Sequence, residues 1–225
     1  MAATTVSAGI QPMLVRYFMS SSVFTVGPDL TCEEALRQLR QRAFRRAPVV
    51  ENSRLVGVVT ERDLIRRLPG TPAQASTRFG EEGLDSPVSR VMTRPPITVR
   101  STDSLETTAL LMRRKKIGGV PVVDHDCLMG IITESDVFRA LCVILAFDEG
   151  CRVLIEEDAG PERGVTDYVQ RASQNACRVR SLLRHPRPEG GWMVYVNVVG
   201  GSIDGFVDDV CGPARRIISV EHEED

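Results

Sequence analysis

Long apolar runs are missing from this sequence. The best candidates, such as Cys142 to Phe147, stop far short of the roughly 20 residues that a membrane-spanning helix needs. The N-terminus shows no basic-then-apolar signal pattern, so no membrane span and a cytoplasmic location are expected. Paired cysteines are missing too. Cys32, Cys127, Cys142, Cys151, Cys177 and Cys211 are scattered, with no C-x-x-C and no histidine at metal-ligand spacing, which removes the local metal motifs and leaves small apolar fillers in a reducing compartment. Histidine occurs only at His125, His185 and His222, the first two in expected turns and the third in the acidic tail. No nucleophile elbow, Walker loop or G-x-G-x-x-G after a strand is present, so neither an enzyme nor a bound cofactor is expected. A strong charge imbalance is also lacking: the formal net charge is −2, which gives no global reason to expect nucleic acid or an anionic membrane as partner. Any phosphate binding must be local. Lysine stands only at Lys115 and Lys116, and arginine supplies the remaining cations.

What the sequence does have is an internal repeat. Shifting the chain by 73 residues lays Met19 on Met92, Thr25 on Thr98, Thr31 on Ser104, Pro48 on Pro121, Gly57 on Gly130, Thr60 on Thr133 and Asp63 on Asp136, without a gap. Each copy opens with a short amphipathic turn (Leu14 to Met19, Val88 to Met92) and a brief strand around Phe24 to Val26 or Ile97 to Val99. A helix follows, capped by Thr31 with Glu34 as a capping box, its stripe running through Ala35, Leu36 and Leu39. In the second copy Ser104 caps, with Leu105, Ala109 and Met112 behind it. Two β-branched runs then form a hairpin: Pro48 to Val50 with Leu55 to Val59, and Pro121 to Val123 with Leu128 to Ile132. A last helix starts at Thr60 or Thr133. One β-α-β-β-α unit is too small to close a core alone, so the two copies should pack together over about residues 12 to 147. The expected division is a tail at 1–11, repeat one at 12–68, a surface linker at 69–87 and repeat two at 88–147.

The strand-to-helix junctions carry the chemistry. A glycine-led strand delivers Thr60 or Thr133 to a helix N-terminus, where unpaired N–H groups and the helix dipole favour a phosphate. Asp63 or Asp136, one turn on, offers a carboxylate for the vicinal hydroxyls of a ribose. Small residues ahead of each central proline, Ala47 and Gly118-Gly119, let the backbone approach a flat ring. Arg45, Arg46 and Arg62 near the first junction, and Lys115, Lys116 and Arg94 near the second, can neutralise phosphate. Arg62 is matched by Ser135, so the two sites should differ. The same Thr-x-x-Asp spacing is also a variant capping box that needs no ligand.

These motifs resemble the CBS family, whose paired domains form a Bateman module: Met92-Thr93 with Thr98-Val99, the Pro-Val-Val strands, and Gly-Val-Val-Thr-Glu-Arg-Asp (57 to 63) beside Gly-Ile-Ile-Thr-Glu-Ser-Asp (130 to 136). The resemblance covers well over half the chain. It implies an α/β (α+β) fold of tandem CBS repeats and an adenosine ligand such as AMP, ADP, ATP or S-adenosylmethionine held between them. Carried over by position, it implicates Thr25, Ala47, Thr60 and Asp63 in one site, with Arg46 and Arg62 as basic residues beside it, and Thr98, Gly119, Val120, Thr133 and Asp136 in the other. It further implies a homodimer and a regulatory role toward an unidentified target protein, with a ligand-free dimerisation scaffold as the alternative.

From about Gly150 the pattern changes. Strands at Cys151 to Ile155, Cys177 to Leu183, Trp192 to Val199 and Arg216 to Val220, with helices at Gly164 to Ala176 (apolar at Val165, Tyr168, Val169, Ala172) and Ile203 to Val210, give the order β-α-β-β-α-β, which is ferredoxin-like. Trp192 and Tyr195 are expected in its core. The order, and its place after a CBS pair, resemble the ACT domain of acetoin-utilisation-type CBS-ACT proteins, over residues 150–221 with an acidic end at 222–225. Where ACT domains carry Pro-Gly at the first strand-to-helix turn, this chain has Arg163-Gly164.

Overall fold

The computed structural model describes residues 13–66, 83–147, 149–158 and 164–222. The expected tail at 1–11, the linker up to residue 82 and the end of the acidic tail at 223–225 lie outside the described residues. Contacts divide the chain into two compact units, one up to Val137 and one from Phe138. The expected boundary near residue 150 is displaced into a helix, because the helix that begins after Thr133 runs unbroken to Leu145.

In the first repeat a 3-10 turn at Val15–Tyr17 precedes α1 (Cys32–Gln41), β1 (Arg46–Glu51), β2 (Arg54–Thr60) and α2 (Glu61–Ile65). In the second, a turn at Val88–Arg90 precedes α3 (Leu105–Lys115), β3 (Gly119–Asp124), β4 (Cys127–Thr133) and α4 (Glu134–Leu145). The hydroxyl of Thr31 accepts from the Glu34 N–H at 3.2 Å, but the capping box is only half made, since the Glu34 carboxylate turns to Arg37 and Gln38. In α3 the third buried position is Thr108 and not Ala109: its hydroxyl donates to the Ser104 carbonyl at 2.9 Å, which lets a polar side chain enter the core.

Both hairpins turn on two left-handed residues, Asn52 and Ser53 (φ 47° and 64°) and His125 and Asp126 (φ 48° and 64°). That conformation matches the twist of the flanking strands. The expected first strands shrink to single parallel bridges, Val26 to Val49 and Val99 to Val122. Each hairpin is therefore a two-stranded sheet, β1-β2 or β3-β4.

The repeats close each other's cores by exchange. The lead-in of the second repeat docks on the first: the Cys32 N–H donates to Ser86 O (2.9 Å), Val88 N–H to Leu30 O (2.8 Å), and Thr93 bridges Val58. Val88, Val91 and Met92 pack into the core formed by Ala35, Leu39, Val49 and Val59. Reciprocally, the Leu105 N–H donates to Met13 O (2.7 Å), Val15 N–H to Asp103 O (3.0 Å), and Ser20 bridges Ile131. The C-terminal part of the expected surface linker is thus structural, with Ser86 buried against α1.

The second unit is built from β5 (Cys151–Glu157), α5 (Val165–Gln174), β6 (Arg178–Pro186), β7 (Trp192–Val199), α6 (Ile203–Val210) and β8 (Arg215–Glu221). All pairs are antiparallel in the order β6-β7-β5-β8, the ferredoxin-like arrangement. Val153, Ile155, Val194, Val196 and Val198 face Tyr168, Ala172 and Phe206 from the two helices. Trp192 packs at the margin of this core under the Arg184 guanidinium, 4.0 Å from the ring centroid. Tyr195 does not join it. The period-2 alternation that buries Val194 and Val196 sends Tyr195 to the opposite face, where it is 48% exposed. Val165 and Val169, expected on the buried stripe of α5, are likewise exposed, and only Tyr168 and Ala172 are buried.

Candidate ligand clefts

The Thr-x-x-Asp junctions form two closely matched corners. Asp63 Oδ2 accepts from the Thr60 N–H at 3.0 Å and from the Thr60 hydroxyl at 2.6 Å, while the Asp63 N–H donates back to Thr60 Oγ1 at 3.2 Å. The same three bonds at Thr133 and Asp136 measure 2.8, 2.7 and 3.4 Å. The boxes use one carboxylate oxygen, so Oδ1 takes no part in them. The first N–H of each helix is also occupied, Glu61 to Arg45 O (2.9 Å) and Glu134 to Gly118 O (3.1 Å). The expectation of unpaired amides waiting for a phosphate is corrected here: protein groups already fill most of them, and charge for a phosphate must come from side chains.

Two clefts flank these corners within the first unit, of about 400 Å3 and about 440 Å3, within the range of ligand sites. The first is lined by Thr60, Glu61 and Arg62 of repeat one, and by Ile97, Lys116 and the Gly118-Gly119 backbone of repeat two. The second is lined by Thr133, Glu134 and Ser135 of repeat two, and by Phe24, Ala43 and Phe44 of repeat one. Every one of these positions has its counterpart 73 residues away in the other cleft. The expected grouping by repeat is thus replaced by a crossed one: Thr60 and Arg62 share a cleft with Gly119, while Thr133 opens beside residues 20–24 and 43–48. The exchanged bridges, Thr93 on Val58 and Ser20 on Ile131, enforce it.

The other expected residues are placed around these linings without joining them. Thr25 and Thr98 are exposed, next in sequence to the lining residues Phe24 and Ile97. Ala47 and Val120 are fully buried, so only their backbone can face a ligand. Asp63 and Asp136 stand behind their threonines and hold them; Asp136 is 4% exposed. Phe24, Phe44, Ile97 and Ile117 were not singled out by sequence reasoning. Their signal was available: the positions match across the repeat, Phe24 and Ile97 directly precede a candidate threonine, Phe44 directly precedes Arg45-Arg46, and Ile117 directly follows Lys115-Lys116.

Arg46 lines both clefts. Its guanidinium lies against the bare backbone of repeat two, where a Cβ on Gly118 would come within 2.5 Å of Nη2 and one on Gly119 within 2.8 Å of Nη1. Burial pulls its pKa below the ordinary guanidinium value; the Glu134 charge opposes the shift and Arg45 adds to it. No hydrogen bond or ion pair to Arg46 occurs among the described residues, so a half-buried cation with free donors sits where the clefts meet. A larger cavity of about 790 Å3 lies on the outer face of the C-terminal sheet, along Leu154, Leu183, Met193 and Tyr195. Its lining is mainly apolar, with Arg152 its one arginine, whereas several cations gather at the smaller clefts.

The sequence matches the CBS domain family over residues 15–70 and 88–143. A CBS domain-containing protein of Dictyostelium discoideum is 36% identical over 139 residues, which is 59% of this chain and 94% of that one. The chain belongs to the CBS domain family. Among solved structures, its CBS pair is similar to a proposed acetoin utilization protein (AcuB) from Vibrio cholerae, with 29% identity and a TM-score of 0.51 over 61% of this chain and 95% of the other. It is also similar to CBSX2 in complex with AMP, with 30% identity and a TM-score of 0.50 over 57% of this chain and 95% of the other. Each likeness covers less than two thirds of this chain, and neither carries an acetoin-type or ACT relationship to its C-terminal unit. No helix among the described residues is long and apolar enough to cross a membrane.

Proposed function

We propose that this CBS pair is a non-catalytic sensor that binds an adenine nucleotide in one or both crossed clefts. The observation that carries the reading is the free Arg46 guanidinium at their junction, between two threonine corners of matching geometry. An adenosine ligand would rest its base on the segments before the central prolines, its ribose at the Thr60 or Thr133 corner, with Oδ1 of Asp63 in the first cleft, and its phosphate on Arg46 and, in the first cleft, Arg62. AMP bound to CBSX2 supports this ligand class, with ADP, ATP and S-adenosylmethionine sharing the same adenosine. Because α4 begins at the Thr133 corner and ends in the second unit, it is the route by which occupancy would bias the C-terminal domain, which we read as ACT-like. Such coupling requires that the ligand prefer one of two states. The working form in this reading is a cytoplasmic homodimer acting on a target protein. A ligand-free scaffold is the second reading, favoured by the completeness of both capping boxes.

Thermal unfolding of the full chain with AMP, ADP, ATP and S-adenosylmethionine separates the two. Ligand at a hundredfold excess over Kd adds about 2.7 kcal/mol to the native state, so at least one of these compounds should raise the melting temperature visibly. The scaffold reading stands instead if none does.

A further inference from the structure

The two clefts are built on matching positions yet differ in charge and in the chemistry of one wall. In the Thr60 cleft, Arg62 and Lys116 add to Arg45 and Arg46, against the single carboxylate of Glu61. In the Thr133 cleft the matching positions are Ser135 and Ala43, so Arg45 and Arg46 alone face Glu134. The apolar wall differs as well. Ile97 and Ile117 line the Thr60 cleft, whereas Phe24 and Phe44 line the other, stacked at 6.1 Å between centroids and inclined by 26°.

Resting on the nucleotide-binding reading above, we propose that the clefts divide the ligand forms between them: the Thr60 cleft takes an adenosine polyphosphate, and the Thr133 cleft an adenine nucleoside bearing at most one phosphate. The two extra cations suit an anion of several charges. The aromatic wall suits a ligand whose affinity must come from ring stacking, since less charge is available to hold a phosphate chain.

The test uses isothermal titration of the full chain with ATP and with adenosine, alone and in competition. Both should bind, and protein saturated with adenosine should still take up ATP. Replacing Arg62→Ser together with Lys116→Ala installs the residues of the other cleft. Both side chains are exposed, and Ala43 already tolerates the backbone of Lys116, at φ 54° in each case. This pair should weaken ATP by about tenfold or more and leave adenosine within about twofold. Phe24→Ile with Phe44→Ile should do the reverse. Mutual displacement of ATP and adenosine, or equal losses of both in the Arg62→Ser, Lys116→Ala protein, would overturn the division while leaving nucleotide binding intact. Adenosine that stays silent while ATP binds overturns the assignment of the Thr133 cleft. Silence of both overturns the nucleotide reading itself, and the division with it.

Discussion

Gly57 and Gly130 are required by close approach, because the methionine that leads in the opposite repeat lies directly on each. A Cβ on Gly57 would meet Met92 Sδ at 2.5 Å and Thr93 O at 3.1 Å; one on Gly130 would meet Met19 Sδ and Ser20 O, both at 2.8 Å. A thioether can swing away, but a backbone carbonyl in a bridge cannot. Gly130→Ala should therefore destabilise the CBS unit by about 1–3 kcal/mol and Gly57→Ala by less, as read from urea unfolding. Equal effects would mean that only the methionines yield. The glycines themselves were legible from the repeat, as leaders of the strands before each threonine. Their reason was not, since the crowding atoms come from a segment some 35 to 110 residues away that pairs across the repeats.

The two junction helices are held by their caps whether or not a ligand is present. Asp63→Ala or Asp136→Ala leaves a threonine N–H and hydroxyl without their acceptor. Each should lower the stability of the unliganded protein by about 1 kcal/mol, and Asp136→Ala more, because its corner is buried. This separates two roles of one carboxylate. A variant that melts earlier but keeps its full ligand-induced shift has lost only a cap, and one that loses the shift as well has lost a ligand contact. At this scale the sequence was a good guide where local chemistry decides. β-branched runs around left-handed turns gave both hairpins, and Ser and Thr caps gave the starts of α1 and α3. It misjudged the short strands at Phe24 to Val26 and Ile97 to Val99, which make one bridge each. It also grouped the site residues by repeat. A period shows which positions are equivalent, but not which copy's surface they meet, and paired and crossed packings share the same internal spacing.

The whole chain carries two separate cores, one around Leu39, Val49 and Val59 and one around Ile155, Tyr168 and Phe206. Two units with their own cores should unfold in two transitions, and Phe206→Ala, at a cost of about 3–5 kcal/mol, should shift only the C-terminal one. A nucleotide in the clefts should raise the other. High pH offers an independent marker of the C-terminal unit. Tyr168 is 1% exposed, its hydroxyl has no partner among the described residues, and Arg215 lies 4.4 Å over its ring. Burial pushes its pKa up to about 12, with the Arg215 charge opposing and Glu157 assisting. The folded value exceeds the ordinary 10, so the stabilising contribution is complete below pH 10, where the unfolded tyrosine still keeps its proton. It is lost as pH rises through about 12. Between these limits the C-terminal transition should fall by the order of 2 kcal/mol relative to Tyr168→Phe, which keeps the ring, removes an unsatisfied hydroxyl and should cost nothing at neutral pH. If Tyr168→Phe follows the wild type through the alkaline range, the loss belongs to other groups. If both transitions fall together in either experiment, the two cores act as one cooperative unit, and a ligand in the clefts would then stabilise the C-terminal domain directly.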